Sequence, residues 1–184
     1  MVRYSDMDLY KEADIVLEDS CIEAILCKFG EVSIGGSYVY RTMVDRDIDF
    51  DVVLPAGAEL SLELRSKIAG ALTSIGQLRG LQMSDIHNFP EGAKHAIDGI
   101  WFGLTIVSLV SGERWNIDIW FVTPGSLTEQ DKDLTTRLHK LSDHERATII
   151  ALKQAALNFS MKKKGITSVK IYDAVLRKGV ETYE

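Results

Sequence analysis

The chain has 184 residues, of which 46% are hydrophobic and 26% charged, with 14 glycines and 3 prolines. That is ordinary globular composition, and it excludes collagen-like repeats, low complexity and bulk disorder. A formal charge of −6 is a poor balance for general nucleic-acid binding, where affinity comes chiefly from cationic contacts to phosphate.

At this length one domain, with room for an appendage, buries roughly 70% of the surface its unfolded form exposes and needs no staples. Residues 6–29 predict a helix: Ile15, Ile22, Ile25, Leu26 and Phe29 recur at helical spacing, and Gly30 supplies a left-handed stop. Cys21 and Cys27 inside it fit neither a CxxC redox motif nor a zinc knuckle. They are expected as buried or half-buried thiols of a reducing compartment, which makes the cytoplasm the expected location. Residues 31–34 predict a short strand ending at Gly35-Gly36. Residues 45–54 alternate strictly, with Asp45, Asp47, Asp49 and Asp51 on one face and Ile48, Phe50 and Val52 on the other, which is the β period. Pro55 and Gly57 end that strand, and residues 58–75 return to helical spacing through Leu64, Ile68, Leu72 and Ile75.

Residues 81–89 are a weaker strand candidate. Residues 97–110 are a stronger one, apolar on both faces and so expected in the sheet interior. A turn at Ser111-Gly112-Glu113 joins it to residues 115–121 as a hairpin. After Pro124-Gly125 the chain reads as helical. Ser142 and Glu145 form a capping box opening a helix that runs to about Phe159, Gly165 breaks it, and Thr167 or Ser168 caps a last helix closed by Gly179. The pattern predicts an α+β fold with a core over 1–124 and a helical C-terminal region over 125–184. The longest apolar-rich run, residues 100–110, is about half the ~20 residues a membrane-spanning helix needs. No apolar run follows the charged start, so a soluble chain without a secretory signal is expected.

Charge is unevenly placed. Residues 1–60 hold 5 basic and 13 acidic side chains, residues 61–124 hold 5 and 6, and residues 125–184 hold 11 and 8. Lys162-Lys163-Lys164 is a candidate basic patch, though such a run reads first as a solvated loop.

The acidic strand carries the chemistry. Alternate residues on one strand face stand roughly 6.5–7 Å apart, so this row of carboxylates repels itself while the opposite face is anchored in a core. A divalent cation removes the repulsion, since Mg²⁺ is held by one or two carboxylates and completes its shell with water and substrate phosphates. The alternative is an exposed edge strand whose charge discourages aggregation. Two features favour the cation. Asp118 stands alone between Ile117 and Ile119, where a carboxylate is costly unless paired or liganded. Gly35-Gly36-Ser37 follows a short strand, and glycines let backbone N–H groups approach phosphate oxygens, although such a triplet also serves as a plain turn.

Together, Ile34-Gly35-Gly36-Ser37, a nine-residue spacer, Asp47-Ile48-Asp49-Phe50 and Asp118 on a later strand resemble the polymerase-β-like nucleotidyltransferase superfamily. Its pattern is hG[GS], a spacer, Dh[DE]h and a third acidic residue. The resemblance covers roughly residues 30–122. It implies a mixed β-sheet core flanked by helices and an enzyme that moves a nucleoside monophosphate from an NTP such as ATP to an acceptor hydroxyl, releasing pyrophosphate. Asp47 and Asp49 would ligate Mg²⁺ on the triphosphate, Asp118 would help bind a second ion and activate the acceptor, and Gly36 and Ser37 would hold the β- and γ-phosphates. The short chain leaves little room for large RNA-binding domains, so a small-molecule acceptor, an antibiotic among the candidates, is the leading expectation and nucleic acid is not expected. A partner protein as acceptor and a non-catalytic binding module are the alternatives, and a homodimer is left open.

Arg41, Arg46 and Arg114 are candidates for phosphate contacts, with salt bridges to the dense carboxylates the favoured reading. His87, His95, His139 and His144 have no zinc-ligand spacing on a helix, and no GxxxxGK[ST] loop is present. Trp101, Trp115 and Trp120 are expected as core or cleft wall, with stacking on a base as the lesser alternative.

Overall fold

In chain order the elements of the computed structural model are α1 (Leu9–Ser20), α2 (Ile22–Leu26), β1 (Glu31–Gly35), α3 (Gly36–Val39), β2 (Asp47–Val53), α4 (Leu62–Leu72), β3 (Leu78–Asp85), β4 (Gly99–Val107), β5 (Arg114–Val122), α5 (Glu129–Leu138), α6 (Asp143–Asn158) and α7 (Ser168–Lys178). The structure describes residues 8–88, 98–126, 129–159 and 165–182. His95, Phe89, Ile97 and the Lys162–Lys164 run lie outside these. The described residues divide into two compact units: those up to Tyr38 with Asp45–Ser126, and Val39–Val44 with the residues after Ser126.

The first unit is a mixed five-stranded sheet in the order β1-β2-β5-β4-β3. β2 and β5 run parallel, and every other pair is antiparallel. Alternation sorts the side chains. Ile48, Phe50, Val52, Ile100, Phe102, Leu104, Ile106, Trp115, Ile117, Ile119 and Phe121 are all buried on one face, each side chain contributing roughly 1.5–3 kcal/mol. The opposite face of β2 and β5 is half-buried to exposed over Asp47, Asp49, Asp51, Asn116, Asp118 and Trp120. As expected for a strand apolar on both faces, β4 lies inside the sheet, between β5 and β3.

The predicted first helix is two helices. Cys21 takes a left-handed conformation (φ 50°) at the end of α1, its N–H bonded to the Glu18 carbonyl, and α2 starts afresh at Ile22. Both cysteines are exposed rather than buried, on the side of this stretch away from Ile22 and Leu26, which are fully buried. Gly30 is not a left-handed stop either. A Cβ there would lie 2.2 Å from the Val53 carbonyl oxygen, so glycine serves the close passage of two backbones.

One polar cluster locks α1 onto the buried face. Glu12, 0% exposed, accepts hydrogen bonds from the Ser111 hydroxyl, from Trp115 Nε1 at 3.1 Å and from Arg46 Nε at 3.2 Å. Burial alone would raise its pKa, but these three donors outweigh it and hold the carboxyl below its usual range.

In the second unit Ser142 and Glu145 form the expected capping box on α6, Thr167 caps α7, and Gly179 (φ 64°) closes it. Tyr40, Leu138, Leu141, Ile149, Leu152, Ile171, Tyr172 and Val175 form the core. The segment 39–44 belongs to this core. Buried Lys153 donates to the Thr42 carbonyl at 2.9 Å, Arg146 donates to the Tyr40 carbonyl, and the Thr42 and Tyr172 hydroxyls are hydrogen-bonded at 3.2 Å. Among the described residues no helix is long and apolar enough to cross a membrane.

Candidate active site

Parallel pairing of β2 with β5 puts Asp47 opposite Asn116, Asp49 opposite Asp118 and Asp51 opposite Trp120. On its other side β2 pairs Asp49 with Gly35 and Asp51 with Ser33, while Asp118 pairs with Gly103 on β4. One rung of the sheet therefore reads Gly35, Asp49, Asp118, Gly103. Neighbouring strands lie about 4.8 Å apart, and directly paired residues project to the same face. Two carboxylates from distant parts of the chain thus rise side by side from the open face, with Asp47 one alternate position along.

The glycine turn closes against this pair. Gly36 has φ 64°, and a Cβ there would fall 1.8 Å from Asp49 Oδ2 and 2.7 Å from Asp49 Cγ. The backbone conformation disfavours any other residue, and a Cβ would force the Asp49 side chain to move. Ser37 follows in the first turn of α3 and is buried, 5% exposed. Asp51, not assigned a role from sequence, faces the same turn: a Cβ on Gly35 would be 3.8 Å from its Oδ2, and burial pushes its carboxyl above the usual range.

Asp47, Asp49 and Asp118 share the open face, and Gly36 and Ser37 form the turn against Asp49. Arg46 is engaged by Glu12, the salt-bridge reading of that residue. Arg114 opens β5 as an exposed side chain. Trp115 is core, whereas Trp101 and Trp120 are half-buried on the face that carries the carboxylates. His144 is exposed, as its position in the first turn of α6 predicts.

An all-oxygen set of carboxylates is the donor chemistry of a hard divalent cation. The glycine at position 36 leaves open the space beside Asp49 Oδ2 that any Cβ would fill. Among the described residues no group of three or more His, Cys, Asp or Glu side chains is gathered tightly enough to hold a metal by itself. A two-carboxylate site whose shell is completed by water and substrate phosphates asks for no such group.

Solved structures of polymerase-β-like nucleotidyltransferases match most of the chain. The polymerase core of TRAMP, an RNA surveillance complex, aligns at TM-score 0.59 and 15% identity over 89% of this chain and 47% of its own. A cytoplasmic RNA terminal U-transferase aligns at 0.56 and 14% over 95% and 49%. Terminal uridylyl transferase 4 from Trypanosoma brucei, with bound CTP, aligns at 0.52 and 12% over 96% and 53%. The chain spans about half the length of these solved chains. No protein-family model matches it, and no curated protein sequence does. The fold is that of the nucleotidyltransferases: a mixed five-stranded sheet with flanking helices and further helices at the C-terminal end.

Proposed function

We propose that this chain is an Mg²⁺-dependent nucleotidyltransferase that moves a nucleoside monophosphate from an NTP to a hydroxyl of a small-molecule acceptor. The observation that carries this reading is the Asp49–Asp118 rung with Gly36 packed against Asp49. Asp47 and Asp49 are the residues that would hold Mg²⁺ on the triphosphate, and Asp118 would share a second ion. When bound, the metal supplies neutralisation of the charge that builds on the phosphoryl group and its leaving pyrophosphate.

The protein's own part is positioning. The Gly36 and Ser37 backbone N–H groups bind β- and γ-phosphate oxygens, where glycine allows close approach. Asp118, on the far side of Asp49 from that turn, orients the acceptor hydroxyl and accepts its proton. A bond forms from the acceptor oxygen to the α-phosphorus, the bond from the α-phosphorus to the bridging oxygen breaks, and pyrophosphate leaves.

RNA terminal transfer belongs to the matched U-transferase, and at this identity only the fold is shared. The 5 basic and 13 acidic side chains of residues 1–60, which carry the turn and β2, set the field against a polyanionic acceptor. The test is calorimetric titration of the four NTPs with Mg²⁺ into the wild type and into Asp47→Asn/Asp49→Asn. It is followed by incubation of labelled NTP with small-molecule, RNA and protein acceptors. Metal-dependent NTP binding that the double variant lacks supports the site. Label confined to RNA or protein overturns the small-molecule acceptor.

A further inference from the structure

The side of Asp118 turned away from the phosphate turn is aromatic. Along β4, Trp101 and Gly103 share the open face with Asp118, and Gly103 is the register partner of Asp118. The far edge of the Trp101 indole reaches over Gly103: a Cβ there would lie 2.5 Å from both Cη2 and Cζ2 of that ring. The indole therefore occupies the space a residue-103 side chain would take, immediately beside the carboxylate. Glycine in the interior of a strand weakens it and marks a close approach; here the approaching group is the Trp101 ring. Trp120, the register partner of Trp101, stands two positions along β5 from Asp118 on the same face. Both indoles are half-buried, so part of their apolar surface faces the open side of the sheet.

On the nucleotidyl-transfer reading, on which this inference rests, the NTP phosphates lie at the β1 turn, so the acceptor approaches from the β4 side. We infer that Trp101 is the acceptor-side stacking surface and that the acceptor carries a planar heterocyclic or aromatic ring next to its reacting hydroxyl. An indole stacks on such a ring through its face, which is worth about 1–3 kcal/mol. Gly103 is the positioning residue that lets the indole lie beside Asp118.

The test uses the full chain, wild type and as W101L, W101F and G103A, with thermal melts to check folding. A non-hydrolysable ATP analogue with Mg²⁺ is titrated first by calorimetry. Adenosine and cytidine, as planar hydroxyl-bearing probes, are then titrated with and without it. Nucleoside affinity is expected to fall about 5- to 150-fold in W101L, to fall likewise in G103A, and to recover largely in W101F. ATP-analogue affinity stays within about two-fold. Unchanged nucleoside affinity in folded W101L and G103A overturns the inference, as does an equal loss for the ATP analogue or the absence of nucleoside binding by the wild type. Trp101-dependent nucleoside binding without ATP-analogue binding would uphold the stacking surface while the transfer reading fails. ATP-analogue binding without nucleoside binding would do the reverse.

Discussion

Asp49 and Asp118 are register partners on adjacent parallel strands, two carboxylates on one rung and one face of the sheet. Like charges directly opposite one another are destabilising by a few tenths to about 1 kcal/mol, and the buried side chains of the opposite face anchor both strands. Asp49→Asn and Asp118→Asn should therefore leave the melting temperature unchanged or raise it by about 1–4 °C. Both should lower transfer by about a thousand-fold or more, the loss of a charge that the developing transition state requires. Melting curves beside product assays check this, and a large drop in melting temperature would mean that the pair is structural.

Gly36 and Gly57 separate strain from contact. Both have positive φ, 64° and 81°, but a Cβ at Gly57 meets nothing within 4 Å whereas one at Gly36 meets the Asp49 carboxylate. Gly57→Ala should cost about 1 kcal/mol with NTP binding intact. Gly36→Ala should cost more and abolish metal-dependent NTP binding, because the Asp49 side chain must move. Urea unfolding and NTP titration of the two variants decide, and equal NTP binding in both would sink the coupling of turn and carboxylate.

Glu12 predicts a pH dependence. Its carboxyl is held below its ordinary value of 4.5 in the folded state by Ser111, Trp115 and Arg46 against the opposing effect of burial. A depressed folded pKa contributes stability that is fully present above the unfolded pKa and is lost as pH falls through the folded pKa. Glu12→Gln should thus be less stable than wild type at neutral pH, by about 2–3 kcal/mol. The gap should narrow as pH drops below about 4. Urea midpoints across that range measure it, and a gap independent of pH would assign the cost to packing alone.

Lys153 is buried with its ammonium on the Thr42 carbonyl, 5.7 Å from the Tyr172 ring centroid. Lys153→Met keeps the stem and strips the donor, so it should cost about 1–3 kcal/mol through an unsatisfied carbonyl. Truncation after residue 124 removes Lys153, Arg146 and Tyr172 together and leaves residues 39–44 without their partners. That fragment is expected to expose this segment to protease, read by limited proteolysis and mass spectrometry. A protected 39–44 in the fragment would show that residues 1–124 fold independently.

What the sequence determined by itself was local. The period of two along 45–54 and the helical periods around it follow from which face each side chain takes, and side-chain direction is set by backbone geometry alone. The expectation of a nucleotidyltransferase fold came from the resemblance that the glycine turn, Asp47-Ile48-Asp49-Phe50 and Asp118 on a later strand carry. The αL break at Cys21 was not legible, because Ile15 through Phe29 keep helical spacing across it. Nor did Gly30 reveal its purpose, since a close approach to Val53 depends on a strand that pairs later. The tertiary structure alone decided the rest. It set β2 parallel to β5 so that Asp49 and Asp118 meet, brought Glu12 to partners 99 and 103 residues away, and laid Trp101 over Gly103. Such pairings are fixed by strand register and by the packing of a shared core, and a residue's own neighbours in sequence do not encode which distant strand will lie beside it.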